Sequence, residues 1–238
     1  MINWRVDNNK GKIAFLIILS ITLLACNPFS QNATNTTLVA VEYDRQNNET
    51  TFLHDGQPLN LSIQKASVVR YLVEEELAGQ SLPIDAIGVT GEIIGNLSLD
   101  AKGNLDSNQS LIKVDLRTLK SDEAKRDNYL KTRTLIGSPQ FPHAVFSPKS
   151  MEGLSWPIQN GEEFSVRLEG EMTIRGVTKI VSWDLLGYMS EGLINVQAKT
   201  EINFSDFAIP KPRLLFILSM DDVIRVEADL IIRPEIMN

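Results

Sequence analysis

Strict alternation of apolar and polar residues dominates the second half of the chain. From Glu162 to Ile174 the two classes exchange at nearly every position, and Val68–Leu77 and Leu193–Phe204 show the same pattern. A period of two predicts strands with one buried face and one solvated face. Weaker versions cover Val89–Leu99, Leu111–Leu116, Ala144–Pro148, Val177–Tyr188 and Val223–Ile232. The pattern therefore predicts about eight strands.

Two glycines refine this prediction. Arg175-Gly176 separates two alternating runs, and glycine tolerates the positive φ of a tight hairpin, so the flanking strands are predicted to pair antiparallel. Gly170 falls on the buried face of its strand, where the missing side chain permits a bend or the close approach of another group.

One segment, Ser121–Ile136, breaks the strand pattern and is predicted to be the only substantial helix. Ser121 or Asp122 is the expected N-cap. The expected inward-facing residues are Ala124, Tyr129 or Leu130, and Ile136. An all-β chain with antiparallel strands and one helix is either a sandwich or a closed barrel.

The N-terminal segment has the profile of a signal peptide. Basic residues precede the apolar run Ile13–Leu24, whose twelve residues would rise only about 18 Å as a helix, too short for a ~30 Å hydrocarbon core. Leu23, Ala25 and Cys26 resemble the lipobox of bacterial lipoproteins, and Cys26 is the only cysteine in the chain. The alternative is an ordinary secretory signal with an accidental cysteine.

The lipobox resemblance implies that residues 1–25 are removed and that acylated Cys26 anchors the protein to a cell membrane or envelope, on the extracytoplasmic side. Residues 26–60 are rich in Asn, Gln and Thr, which predicts a flexible tether. Residues 61–238 contain no internal linker and are predicted to form one domain.

Charge and residue chemistry narrow the function. Removing residues 1–25 takes three bases and one acid from 23 Lys/Arg and 30 Asp/Glu, which leaves a formal charge of −9 and excludes nucleic acid as a partner. His143 is the only histidine of the predicted domain, so neither a zinc site nor a serine-nucleophile triad is expected.

Two charged motifs are interpreted as structural. Glu74-Glu75-Glu76 is interpreted as a solvated strand end. For the adjacent Arg126 and Asp127, a structural salt bridge between helix and barrel is favoured over a catalytic ion pair. We therefore predict that the protein is not an enzyme.

Several motifs together resemble the YceI-like family. The stretch from Gly170 to Lys179, GEMTIRGVTK, is similar to that family's Gly-x-Leu-Thr-Ile-Arg-Gly-Val-Thr-Lys signature. Similar blocks occur in the family's order at 114–130, 141–146, 205–209 and 222–223. The family's opening Trp-x-Ile-Asp-x-x-His-Ser motif is degraded here, at Ile63–Ser67.

This resemblance implies an eight-stranded antiparallel lipocalin-like β-barrel with one helix, whose apolar interior holds a polyisoprenoid or similar amphiphile. The ligand comes from the resemblance; strand alternation supplies the candidate cavity residues, for each of which simple core packing is the alternative. These candidates are Tyr71, Val73, Ile93, Leu97, Val114, Phe164, Val166, Leu168, Met172, Trp183, Val196 and Phe204.

Three functional hypotheses follow. The first is a membrane-tethered protein that carries or sequesters a long-chain lipid, with no metal and no cofactor other than that ligand. The second is a filled barrel that acts as an envelope stress or interaction module and binds a protein partner. The third is an enzyme on the same barrel. Oligomeric state is left open, with a homodimer as one option.

Overall fold

The computed structural model describes residues 57–79, 81–131, 136, 138–212, 215 and 217–237. Cys26, His54 and most of the predicted tether lie outside this part of the chain. The one α-helix of the described residues is α1 (Ala124–Leu130), and 3-10 turns cover Leu116–Thr118 and Ser205–Phe207. The strands are β1 (Leu59–Ile63), β2 (Val68–Leu77), β3 (Ile84–Thr90), β4 (Ile93–Leu99), β5 (Leu105–Asp115), β6 (Lys120–Ser121), β7 (His143–Glu152), β8 (Glu163–Ile174), β9 (Val177–Ser190), β10 (Leu193–Asn203), β11 (Ile217–Met220) and β12 (Val223–Ile236).

The strands close into a barrel. Hydrogen-bonded neighbours run β1, β4, β5, β7, β8, β9, β10, β12, and β12 pairs back with β1, all antiparallel. The barrel wall is longer than some of its strands. Beside β12, the second half of the strand pairs with β1 and the first half pairs with β2. Strand β3 then pairs with β2, and β6 pairs with β3. The eight-stranded antiparallel barrel is thus confirmed, and the sandwich is excluded.

Most predicted strands are present with longer or interrupted boundaries. The run predicted as Val89–Leu99 contains all of β4 but only the last two residues of β3, and Gly91 and Glu92 separate the two strands. The first five residues of β3 were not predicted. The run predicted as Leu111–Leu116 begins earlier, at Leu105. Strand β1 was not predicted, and its first two residues lie within the range assigned to the tether.

Both glycine predictions are confirmed. Arg175 and Gly176 have φ angles of 53° and 78°, and they connect β8 to β9 through a hairpin in which Ile174 pairs with Val177. At Gly170 a Cβ atom would lie 2.4 Å from the backbone oxygen of Ser147 on β7, so only glycine permits this approach.

The helix differs from its prediction in cap and buried face. Its N-cap is Glu123, whose carboxylate accepts a hydrogen bond from the Lys125 backbone N–H, rather than Ser121 or Asp122. Ala124 is exposed, and the buried residues are Arg126 and Leu130. The helix thus buries one charged residue, Arg126, as well as one apolar residue, Leu130. A search for periodic apolar residues cannot identify the charged one. Residues 132–135 of the predicted helix lie outside the described residues.

The barrel has two different ends. At the helix end lie α1, the Arg175–Gly176 turn and the connection from β10 to β11. At the opposite end, the filled end, lie the β4–β5 and β9–β10 turns and the first residues of β1, where Leu59 pairs with both Leu99 and Ile236. In the described part of the chain no helix has the length and apolarity needed to cross a bilayer.

Candidate functional site

An apolar cavity extends from the middle of the barrel to the helix end. Its volume is about 180 Å³, and its walls include Leu130 of α1 and Ile209 and Pro212 of the β10–β11 connection. On β12 the lining positions run from Ile224 to Ile232, which corresponds to roughly 26 Å along the strand. The cavity is therefore elongated, a shape that suits a chain.

The lining is almost entirely apolar. Of its 35 residues, five carry a side-chain hydrogen-bonding group: Arg70, Tyr71, Thr90, Arg126 and Trp183. The apolar face arises directly from strand alternation, since inward positions two residues apart, such as Ala228 and Leu230, share one side of the sheet.

The filled end, by contrast, is packed solid. Leu59, Leu99, Met189 and Ile194 are almost completely buried there and belong to one continuous hydrophobic cluster. The hypothesis of an interaction module assumes a barrel that is filled throughout. Only one end of this barrel is filled, and the cavity occupies the rest of the interior.

Nine of the twelve candidate residues line the cavity: Tyr71, Val73, Ile93, Leu97, Val114, Leu168, Met172, Trp183 and Phe204. The other three, Phe164, Val166 and Val196, face inward but lie toward the filled end, outside the cavity wall. The Phe164 ring lies against Gly187, where a Cβ atom would be 2.5 Å from the ring. Contact between any of these residues and a ligand stays a prediction.

Glu75 is the main correction to the sequence interpretation. It is buried, with 1% of its surface exposed, while Glu74 and Glu76 are exposed. The alternation that places Tyr71 and Val73 inside the barrel also places Glu75 inside when it is extended by two residues. Period two therefore predicts an inward Glu75, whereas the run of three carboxylates favours a solvated strand end, and the structure follows period two at this position.

Arg126 of α1 pairs with Glu75, and this pair connects the helix to β2. The Arg126 Nη2 group donates to Glu75 Oε1, and Nη1 donates to Asp122 Oδ1 at 2.7 Å. Burial alone would lower the pKa of Arg126, but Asp122 and Glu75 outweigh it and raise that pKa. The predicted structural ion pair exists, with Glu75 on the barrel as its partner. Asp127 instead accepts hydrogen bonds from the Ser121 backbone N–H and hydroxyl.

Tyr71 and Trp183 place polar atoms in the cavity wall. The Tyr71 ring lies over Gly88 on β3, where an added Cβ atom would be 2.2 Å from the ring. Burial raises the pKa of Tyr71 to about 12, so its phenol is protonated at neutral pH. Trp183 packs edge-to-face with Phe146, with ring centroids 6.2 Å apart. Neither the Tyr71 hydroxyl nor the Trp183 indole N–H has a hydrogen-bond partner among the described residues.

Groups suited to metal binding are not clustered in this part of the chain. No set of three or more His, Cys, Asp or Glu side chains that could hold a metal ion occurs among the described residues. His143 is partly buried on β7, opposite Asp115 of β5.

Comparison with known proteins gives the same fold. The family model of the YceI-like domain matches residues 75–232. No curated protein matches the chain.

Three solved structures share the barrel at low sequence identity. A polyisoprenoid-binding domain from Saccharophagus degradans implicated in plant cell wall breakdown is 12% identical, with a TM-score of 0.58 over 74% of this chain and 98% of that one. BcnA of Burkholderia cenocepacia is 13% identical, with a TM-score of 0.54 over 71% and 98%. The YceI protein of Campylobacter jejuni is 16% identical, with a TM-score of 0.51 over 66% and 88%.

Proposed function

Because the chain belongs to the YceI-like family, we propose that its barrel binds a polyisoprenoid or similar long-chain amphiphile and carries or sequesters it at the extracytoplasmic face of a membrane. The observation that carries this proposal is the elongated apolar cavity. A packed core leaves few voids larger than a water molecule, so a cavity running roughly 26 Å along β12 is space for a ligand rather than imperfect packing.

The energetics favour a chain-shaped ligand. Each CH₂ group buried in the cavity contributes about 0.8 kcal/mol, so ten of them supply about 8 kcal/mol before the entropic cost of ordering the chain. The few polar groups of the lining can orient one end of a ligand, whereas the remaining wall offers only apolar contact. An amphiphile with one polar end satisfies both requirements.

The membrane part of the proposal rests on the N-terminal sequence. The lipobox-like residues before Cys26 support acylation, and two or more acyl chains would anchor the protein stably. The family's binding fold supports a binding protein rather than an enzyme. An anchored carrier would remain close to the membrane in which such a lipid dissolves.

The direct test is to purify the protein from its own host and identify co-purifying lipids by native mass spectrometry. We expect one long-chain amphiphile per barrel. An empty barrel that also takes up no added prenols or quinones would refute lipid binding and leave the interaction-module hypothesis.

A matched pair of variants ties binding to the cavity. Ala198 lines the cavity, and its neighbour Gln197 points outward from the same strand. Ala198→Phe should fill cavity volume and reduce lipid uptake at least tenfold, and Gln197→Phe should leave uptake unchanged. Equal uptake by both variants would mean that the lipid binds elsewhere.

A further inference from the structure

Three buried polar atoms have no hydrogen-bond partner among the described residues and belong to neighbouring side chains at the helix end of the barrel. They are the Tyr71 hydroxyl, Glu75 Oε2 and Arg126 Nε. Tyr71 and Arg126 line the cavity, and Glu75 follows Tyr71 and Val73 on the inward face of β2. Arg126 and Glu75 are both more than nine-tenths buried. We refer to Tyr71, Glu75 and Arg126 as the polar subsite.

Such a cluster requires an explanation. Most buried polar side-chain atoms in native proteins are paired, and each unpaired one is destabilising. Two of these side chains, Tyr71 and Arg126, line a cavity that is otherwise almost entirely apolar, and the third, Glu75, is paired with Arg126. The cluster therefore lies where the polar end of an amphiphile would be held.

The three atoms also differ in hydrogen-bonding role. Arg126 Nε can only donate, a carboxylate oxygen of Glu75 can only accept, and the Tyr71 hydroxyl can do either. Burial raises the pKa of Tyr71, so its phenol keeps its proton. The charge of Arg126 lowers this pKa and the charge of Glu75 raises it, which shows that both groups lie close enough to act on the phenol. The complementary ligand group therefore both donates and accepts, as a hydroxyl does.

The charges of the lining disfavour an anion. Arg126 is already paired with Glu75 and Asp122, so these three groups carry a formal charge of −1. Arg70, the other basic residue of the lining, is paired with Glu227 and Asp229. Among the described lining residues, both basic side chains are therefore already paired with carboxylates, so a phosphate or carboxylate headgroup would enter this buried site at a large desolvation cost.

We propose that Tyr71, Glu75 and Arg126 form a subsite for an uncharged, hydroxyl-bearing headgroup, so that the barrel selects a long-chain alcohol over the corresponding phosphate. This inference rests on the proposed lipid-binding function and specifies its ligand class. The hydroxyl donates to Glu75 Oε2, and its oxygen accepts from Arg126 Nε or from Tyr71. The chain then extends along the apolar wall toward the middle of the barrel.

The test uses three ligands that share one chain: geranylgeraniol, its methyl ether and its monophosphate. Their affinities are measured by titration of the delipidated full-length protein in detergent. The methyl ether retains the acceptor and lacks the donor, so we expect it to bind about five- to tenfold more weakly than the alcohol. The monophosphate should bind at least tenfold more weakly than the alcohol.

Variants locate the effect at the subsite. Tyr71→Phe removes one hydroxyl and keeps the ring over Gly88, so it should weaken alcohol binding severalfold. The matched control is Tyr188→Phe, because Tyr188 is exposed on β9 and does not line the cavity; it should leave all three affinities unchanged.

The outcomes separate the two proposals. Equal affinity for alcohol, ether and phosphate would overturn the headgroup assignment, as expected if bulk water fills the subsite, and would leave lipid binding intact. Tighter binding of the phosphate, or a Tyr71→Phe variant indistinguishable from the Tyr188→Phe control, would also overturn it. Failure of all three ligands to bind would refute the proposed function itself.

Discussion

The Arg126–Glu75 ion pair should make a large contribution to stability that depends on both partners. Arg126→Met removes the guanidinium and keeps an unbranched side chain. The Glu75 carboxylate, whose side chain is 0% exposed, is then left without its counter-charge. Removal of one partner of a buried pair costs about 3–5 kcal/mol. Asp122 is 80% exposed, so the loss of its contact adds less than about 1 kcal/mol.

A comparison of variants separates the pair from the helix contact. The variant that combines Arg126→Met with Glu75→Leu leaves no buried charge, so its free energy of unfolding should return to within about 1 kcal/mol of the wild type. Asp122→Asn is the control for the exposed contact and should lose less than about 1 kcal/mol.

The assay is urea denaturation at neutral pH, followed by tryptophan fluorescence, with free energies of unfolding compared only between variants of equal m value. A loss below about 1 kcal/mol for Arg126→Met would refute the reasoning. So would a double variant as unstable as Arg126→Met, because the instability could then not be assigned to the stranded carboxylate.

Three further predictions follow. The pKa of Tyr71 is about 12 in the folded state and about 10 in an unfolded chain, so the folded state holds the phenol proton more tightly. The free energy of unfolding should therefore fall by on the order of 2 kcal/mol between pH 10 and pH 12. Denaturation curves measured across this range should lose that component in the Tyr71→Phe variant. Gly170→Ala should lower the free energy of unfolding by about 1–3 kcal/mol, because its Cβ would collide with the backbone of Ser147. Gly91→Ala, whose Cβ would have its nearest contact at 3.6 Å, should lower it by less than about 1 kcal/mol. Equal losses for the two variants would contradict the steric account. Cys26→Ser should move the protein from the membrane to the soluble fraction without changing lipid affinity, and retention on the membrane would contradict acyl anchoring.

Alternation was sufficient to predict the barrel wall because every strand needs one apolar face, and that requirement is local in sequence. It could not separate cavity from filled core, however. Phe164 and Val196 alternate in the same way as Leu168 and Trp183, and only the distance to the opposite wall decides whether side chains meet. That distance depends on barrel closure, a property of the whole sheet.

The ion pair illustrates a second limit. Glu75 lies at an inward position by period two, yet a carboxylate there is acceptable only because Arg126 reaches it from a helix 51 residues further along the chain. A local pattern can predict that Glu75 faces inward, but it cannot supply the partner that makes burial tolerable. Without a partner in view, a solvated strand end was the simpler interpretation, and it was wrong.

The polarity of the barrel bears on how an anchored carrier could meet its membrane. The described chain begins at the filled end, while the cavity and its polar subsite lie at the helix end. The 14 residues of β12 span roughly 35 Å along a barrel axis when strand tilt is included. The proposed tether between Cys26 and Gln57 is about 31 residues long, and a random coil of that length has an average end-to-end distance of about 30 Å. Since this reach is comparable with the barrel length, an anchor attached near the filled end would still allow the helix end to turn toward the bilayer.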